Sequence, residues 1–116
     1  MKKDVLVIED DDDIRYLIAY VLKKEQYEVR VGASAGDLSR ELSIKRPDLI
    51  ILDIMLPDGN GVDLCKALKN DRSTRHIPVI IMSAHQFNNM EEACADDFIS
   101  KPFSIKQIVA SVERVA

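Results

Sequence analysis

Residues 47–61 read Pro47-Asp48-Leu49-Ile50-Ile51-Leu52-Asp53-Ile54-Met55-Leu56-Pro57-Asp58-Gly59-Asn60-Gly61. The unbroken apolar run from Leu49 to Leu52 leaves no polar face. That is the pattern of a strand covered on both sides in a parallel sheet. The run ends on an acid, Asp53, just before a stretch rich in turn formers, so a carboxylate stands at the carboxyl end of a central strand. Val5-Leu6-Val7-Ile8 and Val79-Ile80-Ile81-Met82 have the same continuous character. Tyr27-Glu28-Val29-Arg30-Val31 alternates, as an edge strand does, and the short Asp97-Phe98-Ile99-Ser100 suits the opposite edge. Five strands are expected.

Helices fill the intervals. Ile14, Leu17, Ile18, Val21 and Leu22 recur at the spacing of one helical face, as do Ile105, Ile108, Val109 and Val112. Ser104-Ile105-Lys106-Gln107 is a capping-box pattern, with Phe103 and Ile108 placed as a hydrophobic staple. Ser34 and Asn60, each with an acid three residues later, are candidate caps for helices over 35–46 and 61–70. Strand and helix alternating through short loops predict a three-layer α/β sandwich with a parallel sheet. The pattern leaves the strand order open.

Composition narrows the function. The chain has 116 residues, a formal charge of −4, 47% hydrophobic and 31% charged residues, which fits one folded domain spanning 1–116. A net acidic chain without a Lys/Arg run lacks the electrostatic footprint of a nucleic-acid or anionic-membrane binder. No apolar run approaches the roughly 20 residues of a membrane helix, and Met1-Lys2-Lys3-Asp4 does not begin a signal peptide. Cys65 and Cys94 stand without CxxC or nearby histidine spacing and read as reduced packing thiols, so a cytoplasmic location is expected.

In sheets of this kind ligands bind beyond the carboxyl ends of the strands. The residues there are Glu9 and Asp10, then Asp53, Ser83 and Lys101. Each has an ordinary explanation by itself: a solvated acidic loop with a helix cap, a turn acid, a loop hydroxyl, a surface lysine. Together they bring three carboxylates, a hydroxyl and an ammonium to one end of one sheet. Crowded carboxylates repel unless a cation sits among them, and an oxygen-only donor set suits Mg²⁺ rather than zinc. An ammonium and a hydroxyl opposite such a cation would neutralise phosphoryl oxygens.

Four stretches carry a resemblance to a known family. They are Val5–Asp11, Pro47–Gly61, Pro78–Ala84 and Phe98–Phe103, the last reading Phe98-Ile99-Ser100-Lys101-Pro102-Phe103. The chain resembles the receiver domains of two-component response regulators over essentially its whole length. The resemblance implies a flavodoxin-like fold with strand order 2-1-3-4-5 and about five helices. It implies Asp53 as the phosphoacceptor, taking a phosphoryl group from a phosphohistidine of a sensor histidine kinase or phosphotransfer protein. Glu9 and Asp10 would hold Mg²⁺ with Asp53 and the main-chain carbonyl of Met55. Asp10 is then a direct ligand, and Glu9 acts directly or through water. Lys101 and Ser83 would take phosphoryl oxygens, Ser83 and Phe98 would form the conformational switch, and Met55 and His85 would tune the lifetime of the acyl phosphate. A cis Lys101–Pro102 peptide is also implied, X–Pro being the bond in which cis costs little.

Two rival classes stay in view. A haloacid-dehalogenase-like phosphohydrolase also uses a strand-end Asp with Mg²⁺, but needs an acid two residues later, where this chain has Met55. A phosphorylation-independent interaction domain would not need Glu9, Asp10, Asp53, Ser83 and Lys101 together. The chain ends after its last helix without an output domain, which fits either a stand-alone regulator or a receiver from a longer protein. It departs from the family in one place. Ser83 and Lys101 are 101 − 83 = 18 residues apart, roughly one helical turn less than receivers usually have. The loss falls between Ala84 and Ala95, where only Asn88–Cys94 suits a helix, docked by Met90 and Ala93, so the fourth helix is expected to be at most two turns long. A face so shortened would either leave output or dimer contacts to another face, the first and last helices being the candidates, or gain order only with a partner.

Overall fold

The computed structural model describes residues 2–84 and 95–116. Strand β1 (Asp4–Ile8) leads to helix α1 (Asp12–Lys24), β2 (Glu28–Gly32), α2 (Ala35–Ile44) and β3 (Leu49–Asp53). Two short strands follow, β4 (Met55–Leu56) and β5 (Gly59–Asn60), then α3 (Gly61–Asn70), β6 (Val79–Ser83), β7 (Asp97–Ser100) and α4 (Ile105–Val115). The main sheet has the order β2-β1-β3-β6-β7, with every pair parallel. Counting its five strands alone, this is the 2-1-3-4-5 order that the resemblance implies.

The continuous apolar runs are explained by the two cores they serve. Val5, Val7, Leu49, Ile51, Ile80, Met82 and Ile99 pack with Ile18 and Leu22 of α1 and with Ile108 and Val112 of α4. The intervening residues Leu6, Ile8, Ile50, Leu52, Val79 and Ile81 pack on the other side with Leu38 of α2 and Cys65 and Leu68 of α3. Residues alternate across a strand, so two covered faces demand an apolar residue at every position. Each such side chain, fully buried, contributes about 1.5–3 kcal/mol.

Local signals set the element ends. At α4, Ser104 Oγ accepts the Gln107 N–H and Gln107 Oε1 accepts the Ser104 N–H, so the expected capping box is formed. Asn60 Oδ1 accepts the Val62 N–H at 2.8 Å and starts α3. Helix α1 closes with Gln26 at φ 74°, while the Gln26 and Tyr27 N–H groups bond the Lys23 and Leu22 carbonyls. This is a Schellman ending. It spends the Tyr27 N–H, so β2 begins at Glu28 and not at Tyr27 as the alternation suggested.

Other expectations need correction. Helix α2 stops at Ile44 and not at residue 46: Lys45 is already extended at φ −163°, and Pro47 disfavours a helical Arg46. Leu17 and Ile105 share the apolar helical faces by spacing but are 40% and 53% exposed. Leu17 lies at the margin of the stripe set by Ile18, Val21 and Leu22. Ile105 is the first residue of α4, before that helix settles on the sheet. The β4–β5 hairpin, pairing Met55 with Asn60 and Leu56 with Gly59, leaves no mark in the sequence pattern, because two residues per strand carry no periodicity. The helix expected at Asn88–Cys94, with Met90, Ala93 and the thiol of Cys94, lies outside the described residues. Lys101–Pro102 is cis.

Candidate phosphoryl-transfer site

The carboxyl ends of β1, β3, β6 and β7 carry the residues of interest. Glu9 follows β1, where its N–H bonds the Gly32 carbonyl at 3.0 Å and its own carbonyl accepts the Arg15 guanidinium at 2.9 Å. Its carboxylate is wholly buried and accepts the Asp11 N–H at 3.3 Å. Asp10 is exposed at the mouth of the site. Asp11 caps α1, accepting the Asp13 and Ile14 N–H groups at 2.9 and 3.0 Å. Asp53 ends β3 at 4% exposure, and carboxylate oxygens of Glu9, Asp10 and Asp53 all lie within 4.8 Å of one another.

Lys101 meets this cluster from the far edge. Its ammonium lies 2.5 Å from Glu9 Oε1 and 3.4 Å from Asp53 Oδ2. Its backbone N–H bonds the Ser83 carbonyl at 2.8 Å, which fixes the Lys101 main chain beside the buried Ser83. Burial pushes the Glu9 carboxyl above the usual range; the Lys101 and Asp11 donors offset this only in part, and Asp53 adds to it. Burial alone would lower Lys101, but its hydrogen bond to Glu9 and the charges of Glu9 and Asp53 raise it instead. Lys101 therefore stays an ammonium throughout the physiological range.

Three carboxylates and one ammonium leave two formal negative charges at the strand ends. The set fits a hard divalent cation. All donors are oxygens, as such an ion prefers, and one oxygen from each of the three carboxylates lies within 4.8 Å of the other two.

The loop after Asp53 is tightly held. The Ile54 N–H bonds the Met82 carbonyl at 3.1 Å and the Gly61 N–H bonds the Ile54 carbonyl at 2.8 Å. Gly61 is needed for space and not for conformation: a Cβ there would lie 2.3 Å from the Asp53 carbonyl oxygen. Met55, in β4, is 60% exposed.

Of the residues expected from the sequence, Glu9, Asp10, Asp53 and Lys101 are brought together, Ser83 stands at the adjoining strand end, and Met55 lies in the hairpin two residues after Asp53. Phe98 is half-buried on β7, packed toward the α2–α3 side of the sheet, opposite to its neighbour Ile99. His85 lies outside the described residues. Arg15 and Asp11 were missed as supports of Glu9. Each contact runs through a main-chain group, the Glu9 carbonyl for Arg15 and the Asp11 N–H for Asp11, so no side-chain spacing signals it.

An open α/β sheet with an acidic site at the carboxyl ends of its central strands, at the point where strand order reverses, defines the class of protein. The response regulator receiver domain family model matches residues 5–113, and the chain belongs to this family. It is 36% identical to the phosphate regulon transcriptional regulatory protein PhoB of Escherichia coli, covering 99% of this chain and 52% of that one. It is 31% identical to the alkaline phosphatase synthesis transcriptional regulatory protein PhoP of Bacillus subtilis, covering 99% and 49%. The chain thus spans about half the length of the curated relatives it matches. Among solved structures, a response regulator from Chloroflexus aurantiacus superposes with a TM-score of 0.92 at 28% identity, covering 99% of this chain and 98% of that one. The BeF3-activated DrrB receiver domain superposes with a TM-score of 0.87 at 26% identity, covering 99% and 97%. The family is one of signal receivers and not of conventional enzymes. No helix among the described residues is long and apolar enough to cross a membrane.

Proposed function

We propose that Asp53 accepts a phosphoryl group from the phosphohistidine of a sensor histidine kinase or phosphotransfer protein, and that the resulting acyl phosphate biases the domain between two conformations. The observation that carries this is the Lys101 ammonium set between Glu9 and Asp53 at the strand ends. An Asp53 carboxylate oxygen attacks phosphorus as the P–N bond breaks, and the bond pair leaves on the imidazole nitrogen. Imidazole is a good leaving group, so the absence of an acid at Met55 is no obstacle. Glu9, Asp10, Asp53 and the Met55 carbonyl would hold Mg²⁺, which when bound offsets the charge shared by the acceptor and phosphoryl oxygens. Lys101 offers its ammonium, and Ser83 its hydroxyl, to the remaining oxygens. Movement of Ser83 toward the phosphoryl group, with Phe98 filling the space behind it, would report the event as a population shift. Phe98 has no hydroxyl, so its inward state is fixed by packing alone. Met55 and His85 would govern water access to the acyl phosphate.

The relatives named above are transcriptional regulators, and here the receiver would signal to an output partner or output domain on the cytoplasmic side. Incubation with Mg²⁺ and acetyl phosphate tests the assignment. Wild type should gain an acid-stable, hydroxylamine-labile phosphate, and Asp53→Asn should gain none. Equal labelling of the variant would move the acceptor elsewhere. No labelling of wild type, by either acetyl phosphate or a phosphorylated kinase, would favour a phosphorylation-independent interaction domain.

A further inference from the structure

Asp58 lies in the turn of the β4–β5 hairpin, five residues after the proposed phosphoacceptor, and its carboxylate is bonded to a different element. Oδ1 accepts the Ala35 N–H at 2.7 Å and Oδ2 accepts the Gly36 N–H at 3.0 Å. Those are the first two residues of α2. The helix already has its own cap: Ser34 Oγ accepts the Asp37 N–H at 3.1 Å, and Asp37 in turn accepts the Ala33 N–H at 2.8 Å. The donors left over by that cap are the two that Asp58 takes, and the positive end of the helix favours a carboxylate there. These two N–H bonds are the chief reason the Asp58 carboxyl is held below the usual range. Small residues allow the approach, since a Cβ on Gly59 would lie 3.3 Å from that of Ala35.

The other end of the hairpin is fixed by α3, through the Gly61 N–H to the Ile54 carbonyl and through Asn60 as cap. Between stem and turn sits Met55, whose exposed side chain gives its main chain little packing support. The two hydrogen bonds that Asp58 accepts, together with Leu56 packed against the α2–α3 core, tie the outer half of this hairpin to the body of the domain, and the Asp58 bonds are the polar part of that tie.

We infer that Asp58 is a positioning residue for the phosphorylation site: by clamping the hairpin turn to the N-terminus of α2, it fixes where the Met55 carbonyl stands relative to Asp53 and so sets the affinity for Mg²⁺. This rests on the assignment of Met55 as a main-chain ligand. Groups that orient metal ligands typically change affinity 10–100-fold when removed, and a clamp acting through one further bond belongs at the low end.

Calorimetric titration of the whole chain with MgCl₂ tests the inference, together with thermal melting. Asp58→Ala should bind Mg²⁺ about tenfold more weakly. Asp58→Asn keeps an oxygen acceptor without the charge and should fall between the two, about threefold weaker than wild type. Asp71→Ala is the control for a general loss of stability. Asp71 caps the far end of α3, accepting the Ser73 N–H and hydroxyl, each at 2.8 Å. It should lower the melting temperature and leave Mg²⁺ binding unchanged. Wild-type affinity in Asp58→Ala, or in Asp58→Asn should the alanine variant not fold, would overturn the clamp. So would an equal loss in Asp71→Ala. Asp10→Ala separates the two levels: if it too binds Mg²⁺ normally, the metal site itself is misassigned, whereas weak binding there with normal binding in the Asp58 variants refutes only the clamp.

Discussion

Lys101 Nζ lies 2.5 Å from Glu9 Oε1, joining residues 101 − 9 = 92 positions apart across the carboxyl ends of β7 and β1. Glu9 is fully buried, and the ammonium is its only ion-pair partner among the described residues. The contact thus serves the fold as well as the site. It keeps a carboxylate in place against the cost of its burial.

Lys101→Met should therefore destabilise the metal-free protein. Breaking a buried pair costs about 3–5 kcal/mol. Lys101 keeps 17% side-chain exposure, so about 2–3 kcal/mol is expected. Urea unfolding in EDTA measures it. Mg²⁺ should raise the midpoint of the variant more than that of wild type, because a cation returns to the carboxylates. A midpoint equal to wild type in EDTA would show that Glu9 does not depend on Lys101.

Asp10 should behave in the opposite way. It is exposed and stands within 4.8 Å of two other carboxylates, so its removal relieves repulsion while taking away a ligand. Asp10→Ala is expected to be at least as stable as wild type without metal, to bind Mg²⁺ at least about tenfold more weakly, and to label poorly with acetyl phosphate. Unchanged Mg²⁺ affinity would remove Asp10 from the ligand set.

Much of this was legible in the sequence, and for a physical reason. Leu49–Leu52 and its two counterparts must fill two cores at once, so they leave an unmistakable run, and whatever follows such a run stands at a strand end. That puts Glu9, Asp53 and Ser83 at one end of the sheet, and Lys101 joins them as the residue that follows the short edge strand Asp97–Ser100. The order of the strands was not legible from periodicity, because any parallel arrangement covers the same faces; the resemblance supplied it. Supports acting through the main chain left little trace. Asp58 reads as an ordinary turn residue, and nothing in Pro57-Asp58-Gly59 names α2 as its partner. Arg15 holds a backbone carbonyl, which no side-chain pattern encodes. Leu17 and Ile105 show the limit of periodicity itself, which finds a helix face but not where the sheet beneath it ends.

Gly61 shows the same kind of hidden constraint and makes a third prediction. A Cβ at this position would lie 2.3 Å from the Asp53 carbonyl oxygen and 2.8 Å from Ile54 Cα, both main-chain atoms that cannot step aside singly. Gly61→Ala should push the Asp53–Ile54 peptide away from α3, costing about 1–3 kcal/mol as overpacking does. The displaced peptide carries Asp53, so labelling by acetyl phosphate should slow even under conditions where the variant is fully folded. A folded Gly61→Ala protein that labels at the wild-type rate would show that the loop yields without moving the acceptor.

The last prediction concerns how α4 is held to the edge strand that carries Phe98. Asp97 accepts the Ser111 hydroxyl at 2.5 Å and pairs with the Arg114 guanidinium, so one carboxylate on β7 holds two successive turns of α4. Burial alone would raise the Asp97 carboxyl, but Ser111, Arg114 and the Phe98 N–H outweigh it and hold it below its ordinary value of 3.8. A carboxyl lowered by folding stabilises the folded state above its ordinary value, and that contribution is lost as pH falls through the lowered one. Ser111→Ala removes a charge-assisted bond in a partly exposed cluster, so it should cost about 1 kcal/mol at pH 7. The hydroxyl favours the ionised carboxylate, so the difference between variant and wild type should shrink as pH falls below 3.8. Urea unfolding of both proteins at pH 7 and near pH 2.5 checks the sign. A difference that stays constant, or grows on acidification, would mean that Ser111 contributes by packing and that the Asp97 charge does not hold α4 to β7.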